Sequence, residues 1–253
     1  MSRTKKHDLI WLRPEPNDRR PRFNREQITA AVLKIADSEG FEALTMKRIA
    51  DELDCGIMTL YYYVRTKADL VALMHDAILA EILLPQLPDG WREAVSAIAR
   101  RTRDVLLAHP WSVASLNGAQ FGPNAMRHVE QSLAALDALD LDAAEKLGFW
   151  GIVDDYVFGS VLRTVESLTH AAAAQDNPTL LADAITFGRQ QLATGQFPRL
   201  AALDRKHPVL KPVKRDKKSS QPMAAALSIQ FERGLKAILD GLADSMKPVD
   251  SLN

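Results

Sequence analysis

The chain has 253 residues, 47% hydrophobic and 25% charged, and its 32 Lys and Arg balance 32 Asp and Glu. This is the composition of a globular chain with ample material for a core, and it excludes a disordered, fibrous or uniformly basic protein. No apolar run has bilayer-spanning length, the basic start lacks the apolar stretch of a secretory signal, and the lone Cys55 excludes an intramolecular disulfide, so the cytosol is the expected compartment and no membrane partner is expected.

Alanine and leucine are abundant and strand-like alternation is absent, which predicts an all-α fold. Residues 1–22 carry seven basic groups against three acidic ones and contain Pro14, Pro16 and Pro21. They read as a flexible basic arm, either a phosphate or minor-groove contact with DNA or a solvated tail. A helix follows from Arg25 to Ser38, with Ile28, Val32 and Ile35 on one face and Gly40 as its stop. Phe41 and Leu44 plug the same core.

Leu44 to Val64 reads as a helix-turn-helix. Thr45 caps the first helix, Ile49, Ala50 and Leu53 form its inward stripe, and Asp54-Cys55-Gly56 breaks it. As a small hydrophobe at that turn, Cys55 belongs to the core rather than to redox chemistry. The second helix buries Leu60 and Val64 and turns Met58, Thr59 and Tyr62 outward, as suits a DNA groove; Tyr63 is open to either an inward or an outward reading. Thr66 caps a helix from Lys67 to Leu84, whose stripe is Leu70, Leu73, Met74, Ile78 and Ile82. Pro85 and Pro88 end it and mark the expected domain boundary.

Further helices are predicted near Trp91 to Ala108, Trp111 to Gly118, Asn124 to Leu139, Asp142 to Ala173, Pro178 to Ala193 and Pro222 to Met246. The charged, proline-broken stretch from Arg205 to Ser220 reads as a mobile, solvated linker, with a second nucleic-acid patch as the alternative. Four segments result: the arm at 1–22, a DNA-binding head at 23–67, a connecting helix at 68–84, and a helical region for effector binding and dimerisation at 85–250.

From Arg25 to Ile82 the chain resembles the tetracycline-repressor-like (TetR) transcriptional regulators. The resemblance rests on Leu44-Thr-Met-Lys-Arg-Ile-Ala-Asp-Glu-Leu53 and on Met58-Thr-Leu-Tyr-Tyr-Tyr-Val-Arg-Thr-Lys67. Tyr156-Val-Phe-Gly-Ser-Val-Leu-Arg-Thr-Val-Glu166 is similar to the dimerising helix of the family's C-terminal type. It implies a homodimeric repressor that binds double-stranded operator DNA through its head and a small effector through its C-terminal helices. Two departures stand out. Asp54 occupies a turn position where the family has glycine, which Asp tolerates because it enters the left-handed region more readily than most residues. Members that bind a magnesium chelate supply a histidine near Val113 to Gly118; this chain has none there, which argues against tetracycline itself.

Side-chain chemistry assigns roles within the head. Thr45 at a helix start, Lys47, Arg48, Tyr61 and Lys67 suit phosphates, whereas Met58, Thr59 and Tyr62 suit base edges and thymine methyls. No Arg, Asn or Gln lies on the recognition helix, so specificity is expected to lean on apolar contacts and DNA shape. In the C-terminal region, His109, Trp111, Asn117, Phe121, Trp150, Asp154 and Phe158 are candidate ligand contacts, mixing aromatic and polar groups as small-molecule sites do. Gly148, Gly151 and Gly159 predict close packing along one helix. No nucleophile elbow, GxGxxG, P-loop or HxxxH occurs, so neither catalysis, a cofactor nor a metal is expected; the alternative, a helical enzyme with a structural helix-turn-helix, lacks a reacting group.

Overall fold

In the first helix, α1 (Arg25–Glu39), Ile28, Val32 and Ile35 point inward, and Asn24 caps it by accepting from Gln27 N while the Gln27 side chain accepts from Asn24 N. Gly40 then takes φ 88°, a conformation that stops the helix where a β-carbon would be strained. The computed structural model describes residues 9–14, 23–115, 121–206 and 220–245, and every regular element among them is helical. After α1 come α2 (Met46–Glu52), α3 (Ile57–Tyr63), α4 (Lys67–Ile82), α5 (Trp91–Ala108), α6 (Trp111–Ser115) and α7 (Pro123–Ala134). They are followed by α8 (Ala143–Asp176), α9 (Pro178–Ala193), α10 (Pro198–Lys206) and α11 (Ser220–Ser245). None is long and apolar enough to cross a membrane.

The chain divides into two compact units, one of residues 1–161 with 238–253 and one of residues 162–237. The corner at Pro85 and Pro88, expected between domains, lies inside the first unit. Burial explains the difference. Helix α4 is enclosed on nearly every face, since Asp69, the run from Leu70 to Asp76, Ile78 and Ile82 are all buried. It packs against α1, α5 and α7, so head and following helices share one core. Helix α10 is an addition to the expected elements; Pro198 at its start and the apolar Leu200, Ala201 and Leu203 were its signals. Residues 116–120, where Asn117 falls, and 207–219, most of the expected linker, lie outside the described residues.

Part of the arm is structured. Ile10 to Leu12 form a single 3-10 turn in which Ile10 is fully buried. Arg25 Nη1 donates to Ile10 O at 3.1 Å, and Arg13 pairs with Asp69, both side chains being buried. Residues 9–14 are thus a docked strap rather than a flexible arm, and the charge of Arg13 is spent inside the protein. Asp69 also accepts from Arg65 N at 2.8 Å and Thr66 N at 3.2 Å, closing the capping box expected from Thr66.

Deeper along α4, Asp76 caps a different helix. The residue before α7 is Gly122, which offers no side-chain acceptor, and Asp76 supplies one by accepting from Asn124 N and Asn124 Nδ2 at 2.8 Å each and from Ala125 N at 3.3 Å. Burial pushes the Asp76 carboxyl above its usual range even though these hydrogen bonds oppose the shift. At the other end Gln131 of α7 holds the chain just beyond α4, accepting from Leu84 N at 3.0 Å and donating to Leu84 O at 2.7 Å.

The contact of α7 with α4 is possible because residue 122 is glycine. A β-carbon there would lie 2.7 Å from the Trp11 ring and collide with the Asp76 carboxylate. Gly122→Ala should therefore destabilise the fold by about 1–3 kcal/mol through overpacking. Urea unfolding checks this, and an unchanged midpoint would mean that Asp76 and Trp11 yield without cost.

Candidate DNA interface and effector cleft

The helix-turn-helix depends on a turn in which Asp54 has φ 48°, the left-handed conformation anticipated for it. Cys55 N donates to Ala50 O at 2.9 Å and completes the reversal; Cys55 is half-buried. Thr45 caps α2 by accepting from Arg48 N at 3.1 Å. Behind α3, Leu60, Tyr63 and Val64 are buried, and Phe23 N donates to the Tyr63 hydroxyl, so the open question over Tyr63 resolves inward. In front, Met58 is 79% exposed, Tyr62 58% and Tyr61 44%, beside a half-buried Thr59. Large side chains left this open on a folded helix form a surface fit for a partner.

The cations divide by what holds them. Lys47 and Lys67 are exposed, with Lys67 Nζ 4.7 Å from the Phe41 ring centre. Arg48, expected to face phosphate, instead ties α1 to α2. Its Nη2 donates to Glu39 Oε1 at 2.6 Å and to Glu52 Oε2 at 2.9 Å, while Lys34 reaches Glu52 at 2.6 Å. The hydrogen bond from Arg48 holds the Glu39 carboxyl below its ordinary value; Glu52 is lowered by Lys34 and then Arg48, and the guanidinium is raised by both glutamates. Arg65, not singled out from the sequence, is exposed between α3 and α4, with its backbone fixed by Asp69. Its signal was a cation just after the recognition helix, outside any helical stripe.

A cleft opens between α5, α7 and α8. Its walls are apolar, including Val95, Ile98, Leu136, Phe149, Val153 and Val157, with polar groups from Thr102, His128, Ser132, Trp150 and Asp154. The space between these walls is about 20 Å3, room for roughly one water. Trp150 and Asp154 of the expected ligand contacts are here, and His128 and Ser132 were missed. They sit with Ala125 on the buried face of α7, a spacing of three and four residues that placed a histidine on an inward stripe.

The other candidates lie elsewhere. His109 Nδ1 donates to Asp37 Oδ1 at 2.8 Å and Trp111 Nε1 donates to the same oxygen at 2.7 Å, joining α1 to the α5–α6 corner. Phe41 stacks on Trp111 with ring centres 6.0 Å apart. This pair is therefore a structural tie, because its polar atoms are already engaged. Phe121 is 64% exposed, and Phe158 is half-buried and absent from the cleft wall.

Residues 28–74 match the family model of bacterial regulatory proteins of the tetR family, and residues 84–246 match that of the tetracyclin repressor-like C-terminal domain. The chain belongs to the TetR family. It is a DNA-binding transcriptional regulator. An HTH-type transcriptional regulator of Saccharopolyspora erythraea is 36% identical over 155 residues, 60% of this chain and 66% of that protein. The HTH-type transcriptional repressor DrrR1 of Streptomyces coeruleorubidus is 34% identical over 249 residues, 93% of this chain and 83% of that protein. The crystal structure of ActR, a Streptomyces coelicolor TetR family protein in complex with (S)-DNPA, aligns with a TM-score of 0.65 at 25% identity over 88% of this chain and 98% of that one.

In this regulator Arg48→Ala should lower the thermal midpoint, whereas Lys67→Ala should shift it less. Because Glu39 and Glu52 are held below their ordinary values, their contribution is present above the usual carboxylate range and lost as pH falls through their folded values. Arg48→Ala should flatten that acid-side loss, as followed by thermal melts across acidic pH; an unaltered acid limb would remove the ion pairs from the head's stability.

Proposed function

We propose that this regulator represses transcription as a homodimer on a roughly palindromic operator and is released by a small molecule that enters the cleft between α5, α7 and α8. Met58, Thr59 and Tyr62 of α3 meet base edges, while Thr45 at the start of α2, Lys47, Tyr61, Arg65 and Lys67 meet phosphates. Exposure of Met58, Tyr62, Thr45, Lys47, Tyr61, Arg65 and Lys67 supports the assignment, with Thr59 half-buried beside them; Arg48 acts from behind by fixing α2 against α1. The two recognition helices occupy successive major grooves about 34 Å apart.

The dimer is assigned to the glycine-marked face of α8. Among the described residues, and apart from the helix's own nearby backbone, nothing lies within 4 Å of a β-carbon added at Gly148, Gly151 or Gly159, so the described protomer leaves room there for the close packing that the sequence predicts. Leu147 and Ile152 are about half exposed on the same helix. A helix of a second copy gains close approach at the glycines, in a four-helix interface.

One observation carries the release mechanism: α7 is both a wall of the cleft and a partner of α4. His128 and Ser132 face the cleft, while Asn124, Ala125 and Gln131 bind Asp76 and Leu84. A cleft with room for about one water must widen to hold an effector, and a displaced α7 draws α4, which is separated from α3 by three residues. The effector acts only through better binding to the DNA-incompetent arrangement; about 1–3 kcal/mol of coupling lowers operator affinity roughly 5–150-fold. The names of DrrR1, a repressor, and of the ActR complex support this reading.

Fluorescence anisotropy on DNA from upstream of the regulator's own gene tests the interface. Lys67→Ala and Arg65→Ala should each weaken binding to any DNA and lower the salt slope by about one ion, whereas Tyr62→Ala should cost about 1–3 kcal/mol on the preferred sequence alone. Equal losses on specific and random DNA for all three would overturn the division of roles.

The coupling has its own test. Operator and effector must weaken each other by the same factor, and Asn124→Ala with Gln131→Ala should shrink that factor while leaving effector affinity nearly unchanged. An effector affinity indifferent to saturating operator would rule out release from this cleft.

A further inference from the structure

The strap of residues 9–14 carries a cation that no surface role explains. Ile10 is fully buried, and its carbonyl accepts from Arg13 N at 3.1 Å, closing the turn, and from Arg25 Nη1 at 3.1 Å, tying the strap to α1. The Arg13 side chain is 9% exposed and pairs with Asp69, itself 3% exposed, so its charge is turned away from any DNA phosphate. The two Asp69 oxygens have different partners. Oδ1 meets the Arg13 guanidinium, whereas Oδ2 accepts from Arg65 N at 2.8 Å and Thr66 N at 3.2 Å. A carboxylate gripped on one oxygen by a planar guanidinium has its rotation restricted, and with it the place of the other oxygen. That second oxygen holds the link between α3 and α4 in which Arg65 stands exposed.

We infer that Arg13 is a positioning residue for operator binding: through Asp69 it fixes the backbone of Arg65, so that the Arg65 guanidinium meets a DNA phosphate from a loop already ordered. This rests on the reading of Arg65 as a phosphate contact. The link is short, with Val64 fully buried on one side of Arg65 and Thr66 capping α4 on the other. The hydrogen bond from Arg65 N to Asp69 removes most of the backbone freedom left between them. Binding then orders one side chain rather than a loop, which reduces the entropy lost at the interface. With a neutral residue 13, the Asp69 charge would stay buried on backbone amides alone. Such a carboxylate turns toward water or draws water in, and the link is released.

A double-mutant cycle on the full chain tests this, read by fluorescence anisotropy on DNA from upstream of the regulator's own gene. Arg13→Met should weaken binding about three- to tenfold and lower the salt slope toward that of Arg65→Ala, although the side chain it replaces is buried. In an Arg65→Ala background the same substitution should cost almost nothing. Arg13→Lys keeps a cation beside Asp69 and should retain most of the affinity. Thermal melts establish that each variant is folded at the temperature of binding, and Arg13→Gln takes the place of Arg13→Met if the latter is not. An equal loss in both backgrounds would mark Arg13 as a separate contact, and an unchanged affinity in the folded variant would mark its pair with Asp69 as structural only; either overturns the proposal. So would Arg13→Lys binding as weakly as Arg13→Met. If Arg65→Ala alone leaves affinity unaltered, the reading of Arg65 as a phosphate contact falls and the role of Arg13 with it. If Arg65→Ala weakens binding and Arg13→Met does not, only the role of Arg13 falls.

Discussion

Two buried carboxylates on α4 organise the protein around that helix. Asp69 closes the cap at its start, takes the charge of Arg13 and fixes the backbone of Arg65, while Asp76 caps α7. A carboxylate this deep is costly unless its lone pairs are met, and each is met by donors from other segments. The cost thus becomes positional information. The N-terminal strap, the loop after the recognition helix and the start of α7 are each held where an oxygen of α4 needs a donor. Burial of α4 on nearly all sides follows, since elements drawn to both carboxylates enclose the apolar residues between them.

The head adds a second constraint of a different kind. Its surface charges do not all serve a partner. Arg48 is held by two glutamates and makes α1 and α2 a unit, and Lys47, Arg65 and Lys67 are left at the surface. An ion pair at an exposed site is worth little alone, but a guanidinium shared by two carboxylates has its geometry fixed, which suits a helix that must hold its neighbour in register. The aromatic and apolar side chains of α3 can then stand out in water because the residues behind them, Leu60, Tyr63 and Val64, are locked in the core.

The cleft and the α7 contacts with α4 share one helix, and this makes a small displacement consequential. Packed cores resist continuous deformation, so a helix with a ligand on one face and a hydrogen-bonded partner on the other tends to move with both. Gly122 matters for the same reason: without a side chain it lets Asp76 and Trp11 close on the start of α7.

Periodicity and capping chemistry made the all-α class, the helix-turn-helix and the limits of α1, α4 and α5 legible in the sequence, because those signals are local. Thr45, Thr66, Asp54 and Gly40 behave as their covalent structures dictate wherever they occur. The outward set on α3 was legible for the same reason, being the complement of a buried stripe. What the sequence did not reveal depends on partners far away in the chain. His109 and Trp111 resemble ligand contacts until Asp37 is seen beside them, Arg48 resembles a phosphate clamp until Glu39 and Glu52 close on it, and His128 is an ordinary inward histidine until its Nδ1 is found without a partner. A polar side chain declares its type in the sequence, but whether it is already satisfied is decided only when the tertiary structure brings, or fails to bring, a second group within hydrogen-bonding distance.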